Sequence, residues 1–291
     1  MSLAALALVT GAGLMHALWN LVLKRSSARL PVTTWALLGG AAVFSPMLVR
    51  EWPPPPQVWP FACASALVLL VYYSCLARAY RNSDFSLVYP VARGTAPAML
   101  ALWAIIFMGE RPSAVGYLGI GAILAGLVVL GAAPLWTMRR RYPDMLATLR
   151  THARGSGIPF LVAFLISVYS ALDGAAVRHW APIPYLVLTF GFSGFLLVPL
   201  LAIREGTRVF RVLRTHTVPI ALIAVMMPGA YSLVLRAFQI APISYAGAGR
   251  EIGIVFGALA GWLVLGERFG GVRTAGAALV FVGILVLAVA G

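Results

Sequence analysis

Four ionisable side chains stand inside apolar stretches of the sequence: Arg93, Asp173, Arg250 and Glu251. Their formal charges cancel. Together they could hold a carboxylate against a guanidinium and an ammonium group against an acid, and either acid could exchange a proton. Tyrosines accompany them at helical spacing: Tyr89 lies four residues before Arg93 and Tyr169 four before Asp173, so each shares a helix face with a charge. Tyr73 and Tyr231 add two further rings in comparable surroundings. His16 and Asn20, also four apart, make a polar stripe beside Trp19, suited to a proton relay, ligand contact or helix–helix hydrogen bond.

The elements that must carry these groups are apolar and long. The chain has 291 residues, 61% hydrophobic and only 10% charged, whereas about 25% charged is usual for a soluble domain. Ten apolar stretches of about 20 residues recur, the length that crosses roughly 30 Å of hydrocarbon as a helix. They cover 3–23, 31–49, 60–80, 85–108, 113–135, 158–178, 183–203, 218–238, 243–265 and 272–290. The fold class expected is an all-α integral membrane protein of ten transmembrane helices. A charge at a helix centre costs about 2.5 to 3.5 kcal/mol on an insertion scale. The four intramembrane charges must therefore pair, face water, or both. Asp173 is read as lying near the middle of its helix.

The net charge of +14 would suit a nucleic-acid binder, but its placement does not. Of 22 Lys and Arg, sixteen fall at the ends of or in the loops after odd-numbered helices and four after even-numbered ones; Arg93 and Arg250 lie inside helices. This bias follows the positive-inside rule. It predicts cytoplasmic odd loops, both termini on the extracytoplasmic side and a bacterial-type inner membrane, with the lipid bilayer rather than nucleic acid as partner. Arg139, Arg140 and Arg141 read as an anchor on anionic lipid. The stretch 208–216 reads as a short amphipathic interfacial segment. Cys63 and Cys75, about 18 Å apart along one helix, cannot form a disulfide and read as small buried apolar residues.

The sequence repeats itself. Tyr73-Ser74, Arg78-Ala79-Tyr80 and Ser86 recur 158 residues on as Tyr231-Ser232, Arg236-Ala237-Phe238 and Ser244. Arg93, Gly109-Glu110-Arg111, Gly119 and Gly126 recur 157 residues on as Arg250, Gly266-Glu267-Arg268, Gly276 and Gly283. More weakly, Ala17-Leu18 and Lys24 match Ala171-Leu172 and Arg178. The expected domains are two five-helix repeats, 1–142 and 143–291. An odd number of helices per repeat inverts the second relative to the first, the architecture of alternating-access transporters.

The paired segments MGERPSAVGYLGIGAILAG (108–126) and LGERFGGVRTAGAALVFVG (265–283), with ARAYRNSDFSLVYPVARGTAP (77–97) upstream, resemble the EamA family of the drug/metabolite transporter superfamily. The resemblance covers the whole chain. It implies a ten-helix exporter with a central cavity between the repeats and substrates that include amino acids, nucleosides, sugar phosphates and organic cations. Within it the Tyr and Trp content points by analogy to the aromatic amino-acid exporter branch.

The resulting expectation is a secondary exporter of small metabolites, amino acids including aromatic ones, with organic cations, drugs or nucleotide-type metabolites as the alternative. Its substrate contacts would come from His16, Trp19, Asn20, Tyr73, Tyr89, Arg93, Tyr169, Asp173, Tyr231, Arg250 and Glu251. No G-x-x-x-x-G-K-[ST] loop is present, so ATP does not drive it. No cofactor is expected, a proton is the candidate coupling ion, and a monomer is expected. A remote alternative is a rhomboid-like intramembrane protease built on Gly191-Phe192-Ser193-Gly194, which would need a histidine beside the serine.

Gly249, Gly253, Gly257 and Gly261 recur every fourth residue and form a ridge for close helix packing. On a continuous helix Arg250 stands about 100° and Glu251 about 200° from that ridge. The two charges are therefore expected to part, with Glu251 turned to the cavity. Arg250 has a repeat partner in Arg93, whereas Gly94 occupies the position of Glu251.

Overall fold

A computed structural model describes residues 1–82, 85–139, 157–256, 259 and 271–290; for 76–82, 85–94 and 131–139, and at 24, 157, 159 and 273, the backbone alone is described. Tyr89 and Arg93 thus lie on a described helix, with side chains outside the description. Gly257 and Gly261 lie outside it altogether, as does the Arg140-Arg141 part of the basic anchor.

Among the described residues the structure is all-helical. The helices are α1 (Leu3–Lys24), α2 (Arg29–Arg50), α3 (Val58–Asn82), α4 (Phe85–Met108), α5 (Ala114–Arg139), α6 (Gly157–Ala176), α7 (Pro182–Glu205), α8 (Arg208–Thr215), α9 (Thr217–Ile240), α10 (Ile243–Gly249) and α11 (Gly271–Val289). Segments Leu3–Leu23, Arg29–Arg50, Val58–Cys75, Pro182–Glu205 and Thr217–Ile240 are long and apolar enough to cross a membrane. Thr95–Met108, Ala114–Leu130, Phe160–Ala176 and Thr274–Val289 are shorter apolar helices. Their outer faces are apolar too: Leu118 is 70% exposed and Phe195 73%, a surface that suits lipid rather than water. Cys63 shares that outer surface and Cys75 is half-buried, so the expectation that both are buried fails for Cys63.

Helix packing follows the sequence repeat. The copies of α1, α2, α3, α4 and α5 are α6, α7, α9, α10 and α11. Helix α1 packs on α9 and, correspondingly, α6 on α3; α2 packs on α9, and α7 on α3. The pairs α2–α7, α4–α10 and α5–α11 each join a helix to its own copy. Exchanging every helix for its copy therefore maps these contacts onto themselves.

The α5–α11 contact shows the sense of the exchange. A Cβ on Gly126 would stand 2.7 Å from the Gly276 carbonyl oxygen, and one on Gly283 would stand 2.7 Å from that of Gly119. Residues advancing along α5 meet residues receding along α11, so the helices are antiparallel. Gly119 and Gly276 are sequence copies, as are Gly126 and Gly283. The two close approaches are thus the same approach seen from either half, the self-complementary pattern of a two-fold interface. Such approaches need residues without a side chain at the seam.

Helix α8 is the amphipathic segment. It buries Val209 and Val212, exposes Arg208, Arg211 and Arg214, and is tied to α2 by Trp35 Nε1, which donates to the Val209 carbonyl at 2.6 Å.

The last apolar run of 20 or more residues departs from expectation. The continuous helix read over 243–265 is interrupted: α10 ends at Gly249, Arg250 and Glu251 form a turn, and a helical stretch follows over 252–256. Around the turn Glu251 N–H donates to Ala248, Gly253 N–H to Arg250 and Ile254 N–H to Glu251, each three residues back. The glycines at 247, 249 and 253 weaken helix propensity there. They also let neighbours approach: a Cβ on Gly253 would stand 3.1 Å from the Gly13 carbonyl oxygen, and one on Gly249 3.3 Å from Val9 Cγ2. Helix α1 therefore rests against this run on both sides of the turn.

Candidate functional site

Helices α6 and α7 are joined by the short connection 177–181. Asp173 lies in the last turn of α6, not near the middle of a helix, because α6 stops at Ala176. It is nevertheless fully buried, with Tyr185 of α7 and Tyr231 of α9 set against it. Tyr185 on α7 donates to Asp173 Oδ1 at 2.6 Å, and Tyr231 on α9 donates to Oδ2 at 2.6 Å. One carboxylate thus pins three helices. Ser65 on α3 stands beside Asp173 and Tyr185, although its buried Oγ falls short of hydrogen-bond geometry. Hydrogen bonds to a charged group contribute about 1.5–3 kcal/mol each. Two short phenol donors on opposite oxygens match an ionised carboxylate.

Arg250 reaches the same centre from the interrupted run. Its Nη1 donates to Ser170 Oγ at 3.1 Å, one turn before Asp173 on α6. Its Nε lies 3.3 Å from Glu251 Oε1. The two charges expected to part are therefore an ion pair, and Glu251 is buried, with 1% of its side chain exposed. The interruption is the reason. Neighbours in a regular helix do not face each other, but the turn at 250–251 swings the two side chains together. Arg250 also acts electrostatically on Asp173 and Tyr231. The described charges of the centre are thus one arginine and two acids, the arginine paired to Glu251.

Aromatic rings line up beside it. Tyr73 meets Tyr72 at a centroid distance of 4.9 Å, Tyr72 meets Tyr169 at 5.8 Å, Tyr169 meets Tyr231 at 6.0 Å, and Tyr231 stacks on Phe190 at 6.2 Å. The row runs across α3, α6, α9 and α7. Tyr73, Tyr169, Asp173, Tyr231, Arg250 and Glu251 thus fall in or next to one centre, each named from the sequence. Tyr185, Ser65, Ser170, Tyr72 and Phe190 were not named. Tyr185 had a weak signal, a polar ring mirrored with Asp173 across the short connection between two helices.

Trp19 of α1 packs against the main core, and two further contacts lie within the helix. Asn20 Nδ2 donates to the His16 carbonyl at 2.7 Å, and the His16 and Trp19 rings meet edge-on at 5.2 Å. The Ser193 hydroxyl donates to the Thr189 carbonyl at 2.6 Å and the Ala66 carbonyl at 3.3 Å, within a fully buried helix contact. His216 pairs instead with Ser27 and Thr215 on an exposed loop. The protease arrangement is therefore not built around this serine. Among the described residues no cluster of His, Cys, Asp and Glu could hold a metal ion.

A buried charged centre between apolar, membrane-length helices, in a chain whose halves pack as copies, is an arrangement that suits a membrane transporter. The model of the EamA-like transporter family matches residues 3–132 and again 154–289. The chain belongs to the EamA-like transporter family. None of the curated proteins matches it in sequence. A solved crystal structure, described only as that of a protein, is similar with a TM-score of 0.71 and 18% identity, over 99% of this chain and 98% of that one. That likeness concerns the fold.

Proposed function

We propose that this protein is a secondary exporter of small zwitterionic metabolites, amino acids including aromatic ones, working by alternating access between two inverted five-helix repeats, 1–142 and 143–291. In this reading ten spans cross a bacterial-type inner membrane, both termini lie outside, the protein acts as a monomer and a proton is the candidate coupling ion. The observation that carries the reading is the buried centre in which Arg250 stands among Ser170, Glu251 and Asp173 beside a row of tyrosines. A guanidinium can take a carboxylate, an acid an ammonium group, and the rings an apolar or aromatic side chain. Arg93, Tyr89, Tyr73, His16, Trp19 and Asn20 complete the proposed lining.

A second reading is favoured by one observation. Glu251 already neutralises Arg250, which leaves Asp173 and the tyrosines as a site for an organic cation. Purified protein in liposomes decides between the two. Counterflow of labelled tyrosine or phenylalanine, blocked by the free amino acid and not by its ester or decarboxylated amine, is the expected result. Preference for the amine makes the cation reading correct, and no flux of either overturns both.

A further inference from the structure

A vestibule of about 590 Å³ is lined by Arg111, Arg178, Phe238, Gln239 and Tyr245 around Glu110. Glu110 belongs to the Gly-Glu-Arg motif that the transport site does not use. Helix α4 stops at Met108, Gly109 adopts φ +69, and the Glu110 N–H donates to the Ala104 carbonyl six residues back at 3.0 Å. The helix thus ends at a glycine in the left-handed backbone, a conformation that glycine accepts readily. It aims the Glu110 side chain at the opposite half of the chain.

There the carboxylate grips the first residues of α10. Oε1 accepts the Ile243 N–H at 2.5 Å, and Oε2 accepts both the Ser244 N–H at 3.0 Å and the Ser244 hydroxyl at 2.6 Å. Arg178 Nη2 adds a looser contact at 3.8 Å, and only 10% of the Glu110 side chain is exposed. A second tie lies one residue further on: Tyr245 Oη accepts the Ser113 N–H at 3.0 Å.

Two features make this more than a local cap. The Ile243 side chain packs on Gly174, where its Cδ1 lies 2.7 Å from the position a Cβ would take, immediately after Asp173. At its other end α10, only seven residues long, runs directly into the Arg250–Glu251 turn. Whatever holds Ile243 therefore also holds its packing on Gly174, next to Asp173, and the rod that carries the ion pair.

We propose that Glu110 is a positioning residue, a latch that shuts this face of the protein over Asp173 by clamping Ile243 and Ser244 across the two halves. Release of the carboxylate lets α10 swing, withdraws Ile243 from Gly174 and opens the centre to the vestibule. The arginine distribution puts the latch on the extracytoplasmic face, since Glu110, Arg178 and Ile243 all lie by even-numbered connections. The purpose of the latch rests on the transport reading, but its existence can be tested without a substrate.

The reporter is Ile243→Cys, which keeps the backbone donor, in a background with Cys63→Ala and Cys75→Ala. A membrane-impermeant maleimide is added to proteoliposomes and the labelling rate measured. With Glu110 present labelling is slow; with Glu110→Gln it rises about tenfold or more, because three charge-assisted bonds lose their anion. Ser244→Ala, which removes one of the three and spares the carboxylate, gives a rise of about threefold and serves if Glu110→Gln fails to fold. Equal rates with and without these changes overturn the latch. Rates that respond while no solute moves leave the latch standing and remove the transport reading. Solute flux with unresponsive rates does the reverse.

Discussion

Tyr185 and Asp173 are 12 residues apart in the sequence, on either side of the short connection between α6 and α7, and meet at 2.6 Å. The phenol is fully buried with the carboxylate, so the bond has no water to replace it. Tyr185→Phe is expected to destabilise the protein by about 1.5–3 kcal/mol, the range for a bond to a charged group. Thermal unfolding in detergent checks this, with Tyr231→Phe as the companion. The double variant should lose less than the sum of the two, because both bonds end on one carboxylate. A melting curve for Tyr185→Phe that overlays that of the unaltered protein would show the bond to be without weight.

The ion pair calls for a three-way comparison. Arg250→Ala leaves Glu251 buried beside an empty place, and breaking a buried pair typically costs about 3–5 kcal/mol. Arg250→Ala/Glu251→Ala together should cost clearly less than the single change. Glu251→Gln keeps the shape and should fold, yet impair transport. Flux at the unaltered rate by that variant would mean the charge itself is not needed.

The α5–α11 seam is tested by its own control. A side chain on Gly126 or Gly276 would run into main-chain atoms of the facing helix, 2.7 and 2.9 Å away respectively. Gly126→Val and Gly276→Val are expected to lower stability by about 1–3 kcal/mol or to abolish folding. Gly121, on the same helix, has nothing within 4 Å of its would-be Cβ, so Gly121→Ala should be neutral or mildly stabilising. Equal losses at Gly121 and Gly126 would refute the seam.

Helix α8 predicts a lipid response. Its exposed Arg208, Arg211 and Arg214 recur every third residue, which faces them towards anionic headgroups at an interface. Replacing all three by Gln should reduce the thermal shift that phosphatidylglycerol gives over phosphatidylcholine, with less difference at high salt. An undiminished shift would locate the lipid contact elsewhere.

Much of the helical framework was legible in the sequence because apolar length is a local property. The stretches 31–49, 183–203 and 218–238 lie within two residues of Arg29–Arg50, Pro182–Glu205 and Thr217–Ile240. Pairing across helices was not legible. Tyr185 became a partner of Asp173 only through the depth at which α6 stops and α7 begins. The Arg250–Glu251 pair was hidden for a different reason. Small residues every fourth position look the same in a continuous helix and in an interrupted one, yet the angular rule that separates the two charges holds only for the former. Glu110 was visible as part of a repeated motif, but the motif does not say that its carboxylate would close on the other half of the chain.

The reciprocal seam has a consequence for how two copies of one sequence can grow apart. Where Gly119 and Gly126 meet Gly283 and Gly276, each half is the other's environment, so neither can change without a matching change in its twin. Away from the seam that restraint lapses. Asp173 occupies the place that Trp19 holds in the first copy, and Glu251 the place of Gly94. The centre could become chemically one-sided because it lies where the halves are free to diverge, while the seam keeps their geometry alike.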